Sequence, residues 1–385
     1  MRKTGTYVQR SVAGEPYRAF VPHALPPDPR LSLTNADYDL MEKANRAVGR
    51  LDGISALLPD PSLFIYFYVR KEAVLSSQIE GTQSSLSDLL LYESEETPGV
   101  PLRDVREVSN YVKAVNYALH RIHADGLPVS LRLIREAHSL LLAGVRGGQK
   151  SPGEFRRSQN WLGGDRPGNA VYVPPPHESV VECMSALEKF LHDDPVRTPV
   201  LIKAGLAHAQ FESIHPFLDG NGRIGRLLIT ILLCAEGVLR EPLLYLSLYL
   251  KRHRARYYDL LQSVRESGDW EAWLRFFLTG VHETAQQAVE TSRQILALFQ
   301  SDRRRIDKLG RRSGSALRVH QFLQEQPVLS IPRAVARLGL TRPTVASAVQ
   351  AMEKMGMLKE MTGKQRDRLF AYAQYLQILN EGTEP

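Results

Sequence analysis

One stretch of twelve residues concentrates the side chains of this chain that could do chemistry. It offers an imidazole, a carboxylate and two guanidinium groups, with small turn residues between them. An imidazole can accept a proton near neutral pH, a carboxylate can hold Mg²⁺, and guanidinium groups can neutralise phosphate oxygens. The stretch reads His215, Pro216, Phe217, Leu218, Asp219, Gly220, Asn221, Gly222, Arg223, Ile224, Gly225 and Arg226. These residue types predict a base, a cation ligand and an anion-binding loop on one short segment.

The neighbouring sequence predicts how this stretch is positioned. An apolar run from Leu227 to Ala235 predicts a buried helix, and the segment Asp219–Gly222 predicts the loop that leads into it. Free N–H groups and the positive end of the helix dipole would then face the loop, which suits a phosphate. Arg223 and Arg226 are three residues apart, so they should project from one side of the first helical turn.

A dinucleotide-binding fold is an alternative interpretation of the same residues. Gly220, Gly222 and Gly225 satisfy the Gly-x-Gly-x-x-Gly pattern, which must follow a strand in a strand–helix–strand unit. The preceding segment, Val200 to Ser213, instead places its apolar residues at helical spacing and predicts a helix. The helix predicted before the glycines therefore argues against a dinucleotide-binding fold.

The twelve residues resemble the signature of Fic-domain proteins, which mostly transfer the AMP part of ATP to a protein hydroxyl. The resemblance implies ATP as co-substrate and Mg²⁺ as its metal. It implies that His215 takes the proton of a target Ser, Thr or Tyr hydroxyl and that Asp219 holds the metal. Arg223 and Arg226 would neutralise the β- and γ-phosphates, while Phe217 would seat the loop. The other implied ATP-binding residues are Pro216, Leu218, Gly220, Asn221 and Gly222.

A second motif lies about 135 residues upstream, at the end of a helix predicted to begin at Ser62. Ser76, Glu80 and Gly81 give it a Ser-x-x-x-Glu-Gly pattern, which resembles the inhibitory motif of Fic proteins. The resemblance implies that Glu80 pairs with Arg226 and obstructs the γ-phosphate of ATP. The simpler alternative is that Glu80 only ends a helix.

A non-helical stretch from 147 to 176, rich in glycine and proline, separates two groups of predicted helices. Its segment Ala170–Val173 predicts a strand. The stretch resembles the Fic flap, a hairpin whose edge aligns the target by main-chain pairing. The alternative is an ordinary long surface loop. The residues expected to dock the target are Asn160, Trp161, Leu162, Val171, Tyr172 and Val173.

Two further sets of polar residues bear on the site. His208 and Glu212 lie four apart on a predicted helix, and without a third ligand at metal spacing they predict a helix-surface or packing pair. Lys251, Arg252 and His253 stand near the place where some Fic relatives have a nucleotide-contacting asparagine. The adenine-side contacts therefore stay open.

The expected fold is mainly α: an all-helical Fic core with a short β-hairpin flap, followed by a small winged-helix (α+β) domain. Residues 1–100 should form an arm (residues 1–30, extended) and the helical region with the inhibitory motif. Residues 101–300 should form the catalytic core, and residues 301–385 a linker and the winged helix. Helices are predicted at Asp104–Ile122, Ser130–Leu142, His177–Leu191, Val200–Ser213, His282–Phe299, Leu317–Gln324 and Ile331–Leu338. A further helix capped by Thr341 and a wing within Leu358–Tyr372 complete the pattern.

The positive charge is concentrated near the C-terminus. From 302 to 368 there are fifteen Lys and Arg against six Asp and Glu, whereas the whole chain has a net charge of +7. Arg342, Thr344 and Ser347 on the third helix of the winged-helix domain, with Lys364, Arg366 and Arg368 on its wing, would suit DNA phosphates. Winged helices also dock proteins, so a protein partner is the alternative.

Composition places the chain among soluble globular proteins, with 43% hydrophobic and 24% charged residues. The longest apolar run is too short to span a bilayer, and no apolar signal follows the first residues, so we expect the cytoplasm and no membrane. Cys183 and Cys234 fit no metal or redox spacing. The expected partner is an unidentified target protein, and the oligomeric state stays open, a homodimer included.

Three other functions remain open from the sequence. A Fic enzyme can use another nucleotide or phosphodiester donor, or it can remove AMP. The chain could also be a winged-helix DNA-binding regulator with a vestigial Fic core. The intact His215 and Asp219 argue against a vestigial core.

Overall fold

The computed structural model describes residues 2–12, 14–57, 61–93, 100–364 and 368–384. Arg366, which was predicted to lie on the wing, falls outside these residues. In the described part, the chain is mainly α-helical with two small antiparallel sheets, which confirms the predicted fold class. Within the same part, no helix combines the length and apolarity needed to cross a membrane.

The first part of the chain forms a hairpin and then a succession of helices. In chain order the elements are β1 (Gly5–Val12), β2 (Glu15–Pro22), α1 (Asn35–Leu57), α2 (Pro61–Ile79), α3 (Leu86–Glu93), α4 (Leu102–His123), α5 (Leu131–Leu141), α6 (Val180–Leu191), α7 (Val200–Ile214), α8 (Asn221–Ala235), α9 (Ser247–Arg252), α10 (Arg254–Ser267) and α11 (Trp270–Asp307).

The N-terminal arm, expected to be an extended segment that packs on the main domain, is a β-hairpin. β1 and β2 pair in register from Gly5 opposite Pro22 to Val12 opposite Glu15. Gly14 adopts φ +84° in the turn, a conformation that glycine reaches without steric cost. β2 buries Tyr17 and Ala19 while β1 stays largely exposed. The hairpin therefore packs through one strand only.

Two consecutive helices, α7 and α8, form the centre of the core. Leu201 to Ile214 of α7 are all buried, and most of α8 is buried as well, although both helices carry charged side chains. The α7 sequence has no polar face, which is typical of a helix surrounded by protein. α4, α5, α6, α10 and α11 pack around this pair. The segment between α7 and α8 is thus held from both ends.

The later helices differ from the predicted boundaries. The segment predicted as one helix at His282–Phe299 belongs to α11, which is 38 residues long and is capped by Asp269. Residues 302–305, predicted to start a linker, lie inside α11 because its apolar positions continue to Ile306, which is fully buried. The region after the signature breaks at His253 into α9 and α10.

The C-terminal unit, residues 313–380, contains the predicted helices and wing together with two elements that the sequence analysis missed. Its elements are α12 (Ser313–Glu325), β3 (Val328–Ser330), α13 (Ile331–Leu338), α14 (Arg342–Lys354), β4 (Leu358–Glu360), β5 (Leu369–Tyr372) and α15 (Ala373–Asn380). The strands form one antiparallel sheet in the order β3-β5-β4. Thr341 caps α14 by accepting a hydrogen bond from the Thr344 N–H. The missed elements, β3 and α15, are short or carry no strong periodic signal.

Candidate nucleotide-binding site

The signature loop, residues 215–220, joins α7 to α8. His215 ends α7 with φ 49° and ψ 60°, a left-handed conformation that few non-glycine residues adopt. Gly220 also has a positive φ, 76°, and α8 begins at Asn221. Asn221 and Gly222 were predicted in the loop, but they lie in the first helical turn. The N-terminal end of α8 therefore faces the loop directly.

The loop is held by side chains that bond its main chain. The Asn221 amide donates to the Phe217 carbonyl and accepts from the Phe217 N–H, both at 2.8 Å. Asn160 also donates to the Phe217 carbonyl at 3.0 Å. Asn221 was predicted to bind phosphate through its N–H and Asn160 to dock a target. In the structure the side chains of both hold the shape of the loop.

His215 is a buried imidazole with an accessible edge, since its side chain is 14% exposed. Burial, followed by the positive charges of Arg265 and Arg156, lowers the pKa of His215 to about 3. Its Nδ1 has no hydrogen-bond partner among the described residues and lies 3.9 Å from Glu212 Oε2. A neutral imidazole at pH 7 is the form that can accept a proton.

Glu212 and His208, expected to form a surface or packing pair, are both buried and do not bond each other. His208 Nε2 lies 2.8 Å from the Tyr257 hydroxyl. Burial raises the pKa of Glu212 to about 7. Among the described residues no cluster of His, Cys, Asp or Glu could hold a metal by itself. The pair is thus a packing pair in the core, with Glu212 next to the predicted base.

Asp219 carries the carboxylate of the loop. Its Oδ1 accepts from the Gly220 N–H at 2.7 Å and lies 3.5 Å from Arg223 Nη2, while its Oδ2 lies 3.5 Å from Lys150 Nζ. A single carboxylate beside positive charges can hold Mg²⁺ only if phosphate oxygens supply further ligands. Proteins usually bind this ion in that way. Gly147 approaches so closely that a Cβ there would lie 2.9 Å from Asp219 Oδ2.

The two arginines of the signature are almost fully buried, at 1% and 2% exposure. Arg223 donates to Glu107 Oε2 at 3.1 Å. Arg226 donates through Nε to the Ser76 hydroxyl and through Nη2 to the Ser76 carbonyl, each at 2.8 Å. The same Nη2 donates to Glu80 Oε1 at 2.7 Å. Each buried guanidinium is therefore paired with a carboxylate.

Glu80 lies just beyond the end of α2 and faces the start of α8. Burial alone would raise the pKa of Glu80, but Arg226 and more distant arginines outweigh it, so the pKa lies below its usual value. A Cβ at Gly222 would lie 2.2 Å from Glu80 Oε1. A side chain at position 222 would thus occupy the place of the Glu80 carboxylate. Gly81 follows with φ +95°, which turns the chain away from α2.

Three residues of this site were missed by the sequence analysis. His138 accepts from the Gly153 N–H at Nδ1, so its Nε2 carries the proton and donates to the Asp219 carbonyl at 3.0 Å. Its ring stacks on Phe217 with centroids 3.7 Å apart. Arg156 donates to the His215 carbonyl at 3.0 Å. Glu107, the partner of Arg223, is the third. For His138 and Glu107 the available signal was a polar residue at a position that helical spacing places in the core, whereas Arg156 lies in the non-helical stretch and carried no such signal.

The predicted flap differs from the expected strand pairing. Leu162 and Tyr172 form a single antiparallel bridge with two main-chain hydrogen bonds, and Ala170–Val173 is not a regular strand. Trp161 and Val171 are exposed at 37% and 72%, whereas Tyr172 is buried under the core. The prolines after Val173 prevent a longer ladder, because proline has no N–H to donate. Two of the predicted docking residues therefore face outward.

The N-terminal hairpin covers one side of this segment. The Phe20 N–H donates to the Val173 carbonyl at 2.9 Å, and Tyr17 and Ala19 pack against Val173. Arg166 lies 3.2 Å from Glu15. β2 thus occupies part of the main-chain edge that a bound target segment was predicted to use. The Leu162 main chain is already paired with Tyr172, which leaves the side at Trp161.

Comparison with protein families identifies the motifs. Residues 38–120 match the Fic/DOC family N-terminal model, which spans Glu80, and residues 128–233 match the Fic/DOC family model, which spans the flap segment and the signature. The chain belongs to the Fic/DOC family.

Relatives of this Fic/DOC chain are named for an activity. A protein adenylyltransferase Fic of Aedes aegypti is 32% identical over 201 residues, covering 51% of this chain and 37% of the relative. A protein of the same name from Culex quinquefasciatus is 31% identical over 206 residues, with the same coverage of 51% and 37%. The matched region spans little more than a third of these relatives.

Solved structures share the fold. A Fic family protein from Desulfovibrio desulfuricans G20 superposes with a TM-score of 0.57 at 21% identity, covering 89% of this chain and 97% of that one. Fic-1 from C. elegans gives a TM-score of 0.50 at 22% identity, covering 68% and 73%. At these identities the similarity concerns the fold alone.

Proposed function

We propose that this chain transfers AMP from ATP to a Ser, Thr or Tyr hydroxyl of a target protein or of itself, and that Glu80 restrains the transfer. The observation that carries the proposal is the signature loop. It places a neutral imidazole and a carboxylate beside two buried arginines at the N-terminal end of α8. The adenylyltransferase names of the relatives support the same reaction.

The reaction follows from these positions. The hydroxyl oxygen attacks the α-phosphorus, the bond from that phosphorus to the bridging oxygen breaks, and pyrophosphate leaves. His215 accepts the hydroxyl proton. The N–H groups at the start of α8, together with Arg223 and Arg226, offset the charge on the phosphates. Mg²⁺, when bound by Asp219 and phosphate oxygens, would neutralise further charge on the leaving group.

Inhibition by Glu80 follows from the way Arg226 is used. Nε and Nη2 of Arg226 are engaged by Ser76 and Glu80, so the hydrogen bonds that a γ-phosphate would receive are already made. Like-charge repulsion between the Glu80 carboxylate and a triphosphate would add to the obstruction. We infer that the described conformation is a restrained one.

A panel of nucleotides tests the donor. Glu80→Gly protein is incubated with ATP, GTP, CTP, UTP and, as a phosphodiester donor, a nucleoside diphosphate linked to choline. Intact-mass spectrometry identifies the group added. The proposal expects addition of AMP from ATP above all others. A larger addition from another donor would favour the alternative Fic activity, and loss of AMP from premodified protein without any addition would favour AMP removal.

Asp219→Ala is expected to weaken the Mg²⁺ dependence of ATP binding, because the site would lose its protein ligand for the metal. Titrating Mg²⁺ against ATP affinity by calorimetry measures the effect. Asp39→Ala, which changes an exposed aspartate on α1, is the matched control. Unchanged metal titrations in Asp219→Ala would place the metal ligand elsewhere.

DNA binding by the C-terminal unit is a second proposal, favoured by the exposure of Arg342 at the start of α14 and of Lys364 and Arg368 beside the wing. Neutralising phosphates releases counterions, so affinity for a DNA duplex should fall steeply with salt. Arg342→Ala and Lys364→Ala should each reduce the salt slope by about one. Gel shifts over a salt series measure this, with Arg50→Ala on α1 as control. Absence of binding at low salt would favour a protein-docking role.

A further inference from the structure

The last residues of the chain contact the segment that carries Glu80. Gln78 is 8% exposed and lies two residues before Glu80. Its Nε2 donates to the Ser84 carbonyl at 2.9 Å and to the Thr383 carbonyl at 2.8 Å. Its Oε1 accepts from Lys251 Nζ at 2.7 Å. One buried amide thus joins the end of α2, the following loop, the last turn of α9 and the tail, residues 381–384.

The tail packs closely against the end of α2, the loop after it and α9. Lys251 Nζ also donates to the main-chain carbonyl of Glu384, and Asn380 donates to the Ser87 hydroxyl at 2.9 Å. Thr383 is 1% exposed. Gly382 has φ +78°, and a Cβ there would lie 2.7 Å from Leu248 Cδ1. The acceptors offered to Gln78 and Lys251 are main-chain carbonyls, so the position of the tail matters more than its side chains.

The tail directly follows α15, the last element of the C-terminal unit. α15 follows β5 directly, and the Tyr372 hydroxyl at their junction donates to Asp302 Oδ2 at 2.8 Å. The ring of Tyr375 in α15 lies 5.2 Å from that of Phe67 in α2 and 4.9 Å from that of Phe299 in α11. A displacement of the C-terminal unit would therefore be transmitted along α15 to the tail.

Gln78, which binds the tail, also belongs to the turn that positions the Glu80 side chain. The Glu80 N–H and the Thr82 N–H both donate to the Ser77 carbonyl, at 3.0 and 3.2 Å, and the Gly81 N–H donates to the Gln78 carbonyl at 3.0 Å. With Gln78 fixed, this turn holds the Glu80 carboxylate 2.7 Å from Arg226 Nη2. Without the tail, Gln78 and Lys251 each lose one hydrogen-bond partner.

We propose that residues 380–384 form a latch that holds the inhibitory turn in place and couples it to the C-terminal unit. Displacing that unit withdraws the latch from Gln78 and Lys251, loosens the turn at residues 80–82 and frees Arg226 for the γ-phosphate. The inference rests on the proposed function, because its consequence is a change in AMP transfer.

Two variants remove the latch in different ways. A chain ending at Asn380 lacks the two carbonyl acceptors, while Gly382→Val keeps the chain length but cannot adopt the same backbone beside Leu248. Gln377→Ala, at an exposed position of the same helix, is the matched control. Each is measured in the full chain and in the Glu80→Gly background, with thermal unfolding to show that the protein is folded.

Transfer should rise in both latch variants by about threefold or more, up to the level of Glu80→Gly, because the latch can shift the population only between restrained and free states. In the Glu80→Gly background the same changes should add nothing. Amide hydrogen exchange at residues 76–82 should become faster while that of α8 stays slow.

The outcomes separate the latch from the proposed function. Parental transfer in both latch variants, with Glu80→Gly faster, would overturn the latch and leave the inhibition by Glu80 standing. If Glu80→Gly itself is no faster, the proposed inhibition fails, and hydrogen exchange decides on the latch alone. Unchanged exchange at residues 76–82 in the truncated chain overturns it.

Discussion

Replacing His215 by alanine is expected to abolish AMP transfer while ATP still binds. In the proposed reaction the neutral imidazole takes the hydroxyl proton, so its loss should lower the rate by about a hundredfold to ten-thousandfold. The main-chain N–H groups of α8 and the two arginines, which we propose to hold the phosphates, should stay in place. Transfer at saturating ATP in the Glu80→Gly background measures the first effect, and calorimetry measures ATP affinity.

His120→Ala, which removes an exposed histidine on α4, is the matched control and should transfer AMP like its parent. Undiminished AMP incorporation in the His215 variant would remove this imidazole from the mechanism. A parallel loss of ATP binding would instead mean that the loop has lost its shape, since the His215 main chain is also bonded by Arg156.

Glu80→Gly is expected to raise auto- or target modification by roughly tenfold or more. Removing one partner of a charge-assisted hydrogen bond can be worth a few kcal/mol, and each ~1.4 kcal/mol is about tenfold in rate. The pair at 2.7 Å occupies the Arg226 group that would bind the γ-phosphate. Initial rates of AMP incorporation at saturating ATP measure the gain. Arg226→Ala in the same background should cancel it.

The simpler role of Glu80, ending α2, makes a different prediction. It expects a slightly lower free energy of unfolding and unchanged transfer in Glu80→Gly. Glu80→Gln keeps the side-chain length and removes the charge, so it should release part of the inhibition if the ion pair matters. Transfer equal to the parent's in both variants, with His215 intact, would decide for the simpler role.

The signature and the core helices could be predicted because their information is local. Residues 215–226 are contiguous, and the apolar spacing of α7 and α8 is visible in the sequence alone. The pairing of Glu80 with Arg226 came from a family resemblance, since nothing in the spacing of two residues 146 apart brings them together. The structure places them 2.7 Å apart, while the inhibitory role of Glu80 stays a prediction.

Other parts of the site depend on contacts between distant segments. His138 and Arg156 bond the main chain of the loop from two different segments. The sequence shows His138 only as a polar residue on an apolar helix face, and it shows Arg156 only as one of several polar residues in a non-helical stretch. The flap was inferred from a family resemblance around a strand predicted at Ala170–Val173, but the N-terminal hairpin covers that edge through Phe20. The hydrogen bond from Gln78 to the Thr383 carbonyl joins residues 305 apart, and no local sequence pattern predicts it.

The central claim, transfer of AMP through the signature loop, is tested most directly by following two labels of ATP. Glu80→Gly protein and Glu80→Gly with His215→Ala are incubated with Mg²⁺ and ATP labelled at either the α- or the γ-phosphate, and covalently bound label is counted after denaturation. We predict that the α-label becomes bound to the Glu80→Gly protein, that the γ-label does not, and that the His215 variant incorporates neither. Bound γ-label, or equal α-label with and without His215, would contradict this account.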